Sequence, residues 1–232
     1  MKKSIFLLFA SFSTVAFAQN GLFLQPEVGY GIANVTPKTQ ISGNGFIYQV
    51  DPAKNISSFS GGLLLGYRFN HLEWSTGATF LRSGYSESYT SGDFVLMHNT
   101  SVENFYHFAI PLNVGYCVNL TKHLFIQPGI GVSASYNYAV HEQTTESTGS
   151  SSYTTSRNLT NTEFNNLYNR FSIWGTAHVH VCYKFNSRIN IIAGPETQFM
   201  TGSVKQSGNF TSDQKNYVYT FNAGLTWKLY KK

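Results

Sequence analysis

Hydrophobic and polar residues alternate with a period of two over most of this chain, most cleanly near its C-terminal end. There Tyr217, Tyr219, Phe221, Ala223, Leu225, Trp227 and Leu229 fall on one side, and Val218, Thr220, Asn222, Gly224, Thr226, Lys228 and Tyr230 on the other. Successive side chains of a β-strand point to opposite faces. Residues 217–230 therefore predict a ribbon with one apolar, aromatic-rich face and one mostly polar face. Seven further segments carry the pattern, at 22–33, 58–69, 72–85, 103–120, 123–140, 168–185 and 188–200. Long polar connections at about 34–57, 86–102, 141–167 and 201–216 alternate with two-residue turns at Asn70-His71, Thr121-Lys122 and Asn186-Ser187. That rhythm puts every short turn on one side of the assembly.

Residues 1–18 read as a cleaved secretory signal. Lys2 and Lys3 precede an apolar run from Ile5 to Phe12, and Ala16-Phe17-Ala18 supplies the small-x-small cleavage site. Residues 19–232 then form one domain. The apolar run is shorter than the roughly 20 residues a spanning helix needs, and lipid accepts only helices and closed barrels. Alternating strands behind a secretory signal thus predict an all-β fold. The expected form is an eight-stranded antiparallel transmembrane β-barrel, an up-and-down meander with four long extracellular loops and three short periplasmic turns, in the bacterial outer membrane.

Composition sharpens this picture. Hydrophobic content is an ordinary 42% because only every second strand residue needs to be apolar, whereas aromatics reach 16% and charges only 12%. Aromatic girdles and a lipid-facing wall produce that bias. The lipid-facing or girdle aromatics are Tyr67, Trp74, Tyr106, Tyr116, Tyr183, Tyr217, Tyr219 and Trp227. The formal charge of +5 includes Lys2 and Lys3, and no Lys/Arg run exists, so nucleic-acid binding is excluded as a function class.

An eight-stranded barrel has an interior that side chains can fill. The inward rows place Glu27, Arg68, Glu73, His107, Asn113, His178, His180, Lys184, Arg188, Glu196 and Lys228 there. These charges are expected to pair with one another as a structural plug, because unpaired buried charge costs several kcal/mol; the alternative is an ion path. His178 and His180, with His107 near them, form the one metal-like arrangement, and it lacks a third ligand at a recognisable spacing. Cys117 and Cys182 lie on next-but-one inward rows, roughly 9–10 Å apart by strand spacing, too far for a disulfide. No cofactor and no metal are expected.

A lipid-modifying enzyme would need a nucleophile, base and orienter near the outer rim. His98, His141, Ser86, Ser88 and Asp93 qualify by position, but no motif frames a nucleophile, so no catalytic activity is expected. Aromatics crowd the outer ends, with Tyr85 and Tyr168 among them; Tyr89, Phe94, Tyr138 and Tyr153 are the candidate loop contacts for a partner.

Several segments carry a family resemblance. Residues 105–116 (FYHFAIPLNVGY), with Ile110-Pro111-Leu112, are similar to the aromatic-x-x-x-Ile-Pro-Leu strand of the PorT-like outer-membrane β-barrels of Bacteroidetes-type bacteria. Residues 72–86, 125–133 and 224–229 resemble that family's third, fifth and closing strands. Lys231 and Lys232 depart from it by following the terminal aromatic. The resemblance implies a barrel acting through its loops, as a surface interaction or protein-secretion accessory protein. The expected partners are outer-membrane lipid and secretion-system or surface proteins, and the barrel is expected to be monomeric. A purely structural envelope barrel is the alternative; a narrow pore and a lipid-modifying enzyme are more remote.

Overall fold

A computed structural model of the chain describes residues 21–35, 49–50, 53–91, 97–202 and 215–229. The expected signal peptide and Phe94 lie outside these residues. In chain order the strands are β1 (Gly21–Val35), β2 (Gln49–Val50), β3 (Ile56–Phe69), β4 (Leu72–Ser91), β5 (Met97–Tyr116), β6 (Val118–Asn119), β7 (Leu124–Thr148), β8 (Ser151–Asn158), β9 (Phe171–Lys184), β10 (Ile189–Met200) and β11 (Asn216–Lys228). One short helix, α1 (Asn161–Leu167), precedes β9.

Eight of these strands close a ring. Antiparallel ladders run β1–β3–β4–β5–β7–β9–β10–β11, and β11 pairs back onto β1. Closure leaves no open edge in the wall. Registered pairs such as Trp74 opposite Tyr67 keep the apolar rows on one face, and large apolar side chains including Val28, Leu63, Ile110, Ile130, Phe171 and Phe221 stand exposed on the outside. In water such a surface would aggregate; against hydrocarbon it is the solvated face.

Side chains near the short connections hold them shut. Asn70 adopts φ 52° between β3 and β4, a conformation asparagine tolerates. The Thr121 hydroxyl accepts from the backbone N–H groups of His123 and Leu124, and the Asn186 carbonyl oxygen from those of Arg188 and Ile189. Proline is accommodated where the ladder lapses: the β1–β11 register skips from Leu24 to Glu27 around Pro26, and β10–β9 from Ala193 to Glu196 around Pro195.

The long connections depart from the sequence expectation. Residues 86–91 and 97–102 continue β4 and β5 as a paired ribbon. The polar stretch 141–167 is not a loop: it extends β7, turns at Gly149 (φ 57°), returns as β8 and ends in α1. The result is a sheet, β2–β4–β5–β7–β8, that projects from one side of the barrel on the extracellular side. The last apolar outward residue of β7 is Tyr138. Its polar remainder, 141–148, reaches roughly 25 Å further at strand rise.

Candidate functional site

The lumen is filled in three layers. Nearest the short turns, Arg68 donates from Nε to Glu73 Oε2 at 2.8 Å and pairs with the same oxygen through Nη2. Glu73 Oε1 accepts from Gln127 at 2.7 Å. The guanidinium lies 5.0 Å from the Phe125 ring centre, with the Lys184 ammonium 5.6 Å from the same ring. Phe125, Ile192, Cys117 and Cys182 pack as an apolar cluster beside it. Both cysteines are free thiols, as their strand separation requires.

The middle layer is polar and tight. Gln25 donates to Glu27 at 2.9 Å, Gln198 to Glu196 at 2.6 Å, and Thr226 to Gln25 at 3.2 Å. The His178 and His180 rings stack with centres 4.5 Å apart. The cavity that Gln25, Glu27, Glu196, His178 and His180 share with Asn113 has a free volume of about 10 Å³, the size of one water molecule.

The upper layer is apolar. Trp174, Phe105, Tyr85, Tyr168, Leu81, Val140, Met200 and Val218 are all buried, and Phe164 of α1 seals them from above. Tyr85 and Tyr168 donate their hydroxyls to Glu103 Oε2 at 2.7 and 2.8 Å, which ties β4, β5 and the end of α1 to one carboxylate. His107 belongs to this layer: Ser83 contacts its Nε2 at 2.9 Å and Trp174 stands edge-on at 5.4 Å.

Several expectations are corrected by this arrangement. Tyr85 and Tyr168 are not surface aromatics; they are buried plug residues, Tyr85 because the inward row of β4 continues above the membrane and Tyr168 because it ends α1, which folds over the plug. Arg188 is exposed in the β9–β10 turn rather than in the lumen. Glu27 and Glu196 are satisfied by amides, not cations: among the three glutamates expected in the lumen, Glu73 is the one with an ion pair among the described residues. His107 stands a layer away from His178 and His180, and among the described residues no three His, Cys, Asp or Glu groups come together as a metal site. Lys184 and Lys228 lie half-buried at the periplasmic end.

The eight girdle aromatics all stand on outward rows: Tyr67, Trp74, Tyr116, Tyr183 and Trp227 toward the short turns, Tyr106, Tyr217 and Tyr219 toward the projecting sheet. Tyr138 stacks among outward Phe80, Phe108 and Tyr106 at the rim, Tyr89 is half-buried in the β4–β5 ladder, and Tyr153 is exposed on β8. Sequence reading missed Glu103 and Phe164. Thr160-x-x-Glu163 is a capping box, and both of its hydrogen bonds form here; that motif was the available signal for the plug helix.

The projecting hairpin holds one chemically suggestive chain. His141 contacts Ser156 Oγ through Nε2 at 3.1 Å and Asn158 Oδ1 through Nδ1 at 2.9 Å. Nucleophile, base and orienter stand in that order in a hydrolase. Here all three lie on the last two strands of the projecting sheet, with Ser156 and Asn158 exposed to solvent. Ser88 is committed to Thr100 and His98 to Thr90, while Asp93 lies outside the described residues.

A comparison with protein families agrees with the architecture. The model of the outer membrane protein beta-barrel domain family matches residues 4–158. No protein with a curated description matches the chain. Among solved structures, Neisserial surface protein A is 15% identical, with 91% of this chain and 100% of that one covered at a TM-score of 0.47. Ail, the attachment invasion locus protein of Yersinia pestis, is 14% identical over 89% and 99% of the two chains (TM-score 0.35). The outer membrane protease OmpT of Escherichia coli is 9% identical over 89% and 97% (TM-score 0.38).

Proposed function

Because the chain belongs to the outer membrane protein beta-barrel domain family and so lies in the bacterial outer membrane, we propose that it is a non-enzymatic surface interaction protein. In this reading the barrel is an anchor and the projecting sheet is the working part. The observation that carries it is the contrast between a lumen filled at every layer and a wall that continues far outside the membrane. All eight residues of β8 are exposed, and among the described residues β8 pairs with β7 alone. Its outer edge offers unpaired backbone groups, flanked by Ser/Thr hydroxyls and the exposed ring of Tyr153. Such an edge suits an extended segment of a protein partner that adds as a strand.

The finer form of this reading is an accessory role in protein secretion, carried by the resemblance of the Ile110-Pro111-Leu112 strand to PorT-like barrels; the barrel acts as a monomer. The test replaces residues 142–158 with a Gly/Ser turn and leaves α1 and its plug residue in place. The variant is expected to insert, shown by heat-dependent gel mobility. It is also expected to reproduce the surface and secreted proteome of a gene deletion. Selective loss of exported cargo supports the secretion role. A proteome indistinguishable from wild type contradicts the interaction reading.

A further inference from the structure

The outer rim carries two arginines whose charge nothing in the described protein neutralises. Arg68 is paired with Glu73, and Arg157 with Glu142 and Glu163. Arg82 and Arg170 instead contact only neutral groups. Arg82 donates through Nε and Nη2 to the side-chain Oδ1 of Asn104 at 3.2 and 2.7 Å. Arg170 donates to Asn165, to Asn161 at 3.1 Å and to the Tyr136 hydroxyl at 3.1 Å, and its guanidinium lies 4.3 Å from the Phe164 ring centre. A guanidinium has five N–H donors, so each retains at least two for a further acceptor.

Their position is specific. Arg82 sits opposite Phe59 and Tyr106 in its ladders, so it shares their outward face. Tyr106 in turn pairs with Ala139, and the Arg170 carbonyl accepts from Asn137, which puts the two arginines within about two residues of one level on β7. Three strand spacings separate them, about 14 Å around the wall. Between them runs a belt of outward rings in two groups: Phe80, Tyr106, Phe108 and Tyr138 in tilted and edge-on contact, and Tyr136 against Phe171. Aromatic belts mark the headgroup level of a membrane. Beneath Arg170 an open groove of about 680 Å³ runs down the outer wall over Ala78 and Ala134, between Phe108, Ile110, Phe171 and Ile173. A second outer groove, of about 740 Å³ around Pro128 and Pro195, extends to Leu72 and Tyr116 near the short turns, away from both arginines, and offers nothing beyond ordinary contact with hydrocarbon chains.

We propose that this face is a binding site for a phosphorylated, multiply acylated glycolipid of the outer leaflet. Arg82 and Arg170 receive its phosphate groups, the ring belt supports its sugars, and the groove takes an acyl chain. Charge complementarity selects the occupant: a zwitterionic lipid leaves both guanidiniums uncompensated, and an arginine fork fits phosphate oxygens bidentately.

The full barrel, folded in zwitterionic detergent, is titrated with diphosphorylated lipid A, monophosphorylated lipid A, phosphatidylglycerol and inorganic pyrophosphate, with bound adducts read by native mass spectrometry. The diphosphorylated lipid is expected to bind tightest. The double variant R82Q/R170Q is expected to weaken it about tenfold or more and to erase the difference from the monophosphorylated form. The R82K/R170K variant should keep part of the effect. Because Arg170 also fastens α1, R82Q alone is measured in parallel; it leaves the helix untouched and should lower the preference for the second phosphate. Equal binding of all three lipids, or an unchanged preference in the Gln variants, overturns the proposal. Pyrophosphate binding as tightly as the lipid overturns it too, since the site would then be a free-anion site.

Discussion

A single carboxylate fixes the periplasmic end of the lumen. Glu73 is 3% exposed and holds both Arg68 and Gln127. Removing one partner of a buried ion pair leaves the other uncompensated, so Glu73→Gln is expected to cost about 3 kcal/mol. Urea unfolding of the barrel in lipid vesicles reads this directly; a midpoint equal to wild type would show that the pair is not structural. The hydroxyl of Ser156 is the contrasting case. Wild type and Ser156→Ala are both expected to leave hydrolysis of soluble and lipid esters at the uncatalysed level, because an exposed ribbon supplies neither a desolvated pocket nor a positioned oxyanion donor. Ester turnover by wild type that Ser156→Ala abolishes would make the barrel an enzyme.

Periodicity announced Glu73, since it stands in the inward row of the alternating segment 72–85. Its partner Arg68 was legible for the same reason. That Glu27 and Glu196 would take Gln25 and Gln198 instead of cations was not legible. The periodicity assigns faces, but which inward neighbours meet depends on stagger between strands, and a period of two does not encode stagger.

At the scale of elements, the surprise is the stretch 141–167. Its Ser/Thr content hid a ladder, because hydroxyl residues alternate with one another and leave no apolar row to see. β8 forms because β7 continues straight out of the wall and Gly149 permits the turn. Helix α1 is too short to persist alone; its capping box starts it and Phe164 docks it on the plug. The Glu163 carboxyl is held below the usual range, first by the Thr160 backbone N–H, then by the Thr160 hydroxyl, with Arg157 adding to both. A depressed carboxylate stabilises the folded form above its unfolded value and loses that contribution as the pH falls through the lower folded value. The helix is therefore expected to be docked at neutral pH and to loosen progressively below about pH 4.5. Hydrogen exchange of residues 161–167 should rise across that window and become pH-insensitive in Glu163→Gln once intrinsic exchange is corrected. An unchanged profile in the variant would assign the loosening to another group.

At the scale of the whole molecule, strand number, order and closure followed from the sequence: eight alternating segments joined by long and short connections permit few other arrangements in lipid. What the sequence did not disclose is where the inside stops being polar. Trp174, alone among polar neighbours on its inward row, was the visible hint. It proves to be the floor of an apolar layer completed by Phe105, Tyr85, Tyr168 and Phe164. That layer, the one-water cavity beneath it and the Arg68–Glu73 floor close the lumen three times over. In the proposed reading, function is left to the outer rim and the projecting sheet.

Single-channel recording in planar bilayers tests this account most directly. Purified wild-type barrel is expected to insert and show no unitary conductance steps across a broad voltage range. Reproducible steps, altered in size by Glu27→Gln or Glu196→Gln, would show an open path through the middle layer. They would contradict the closed barrel on which the rest of the argument stands.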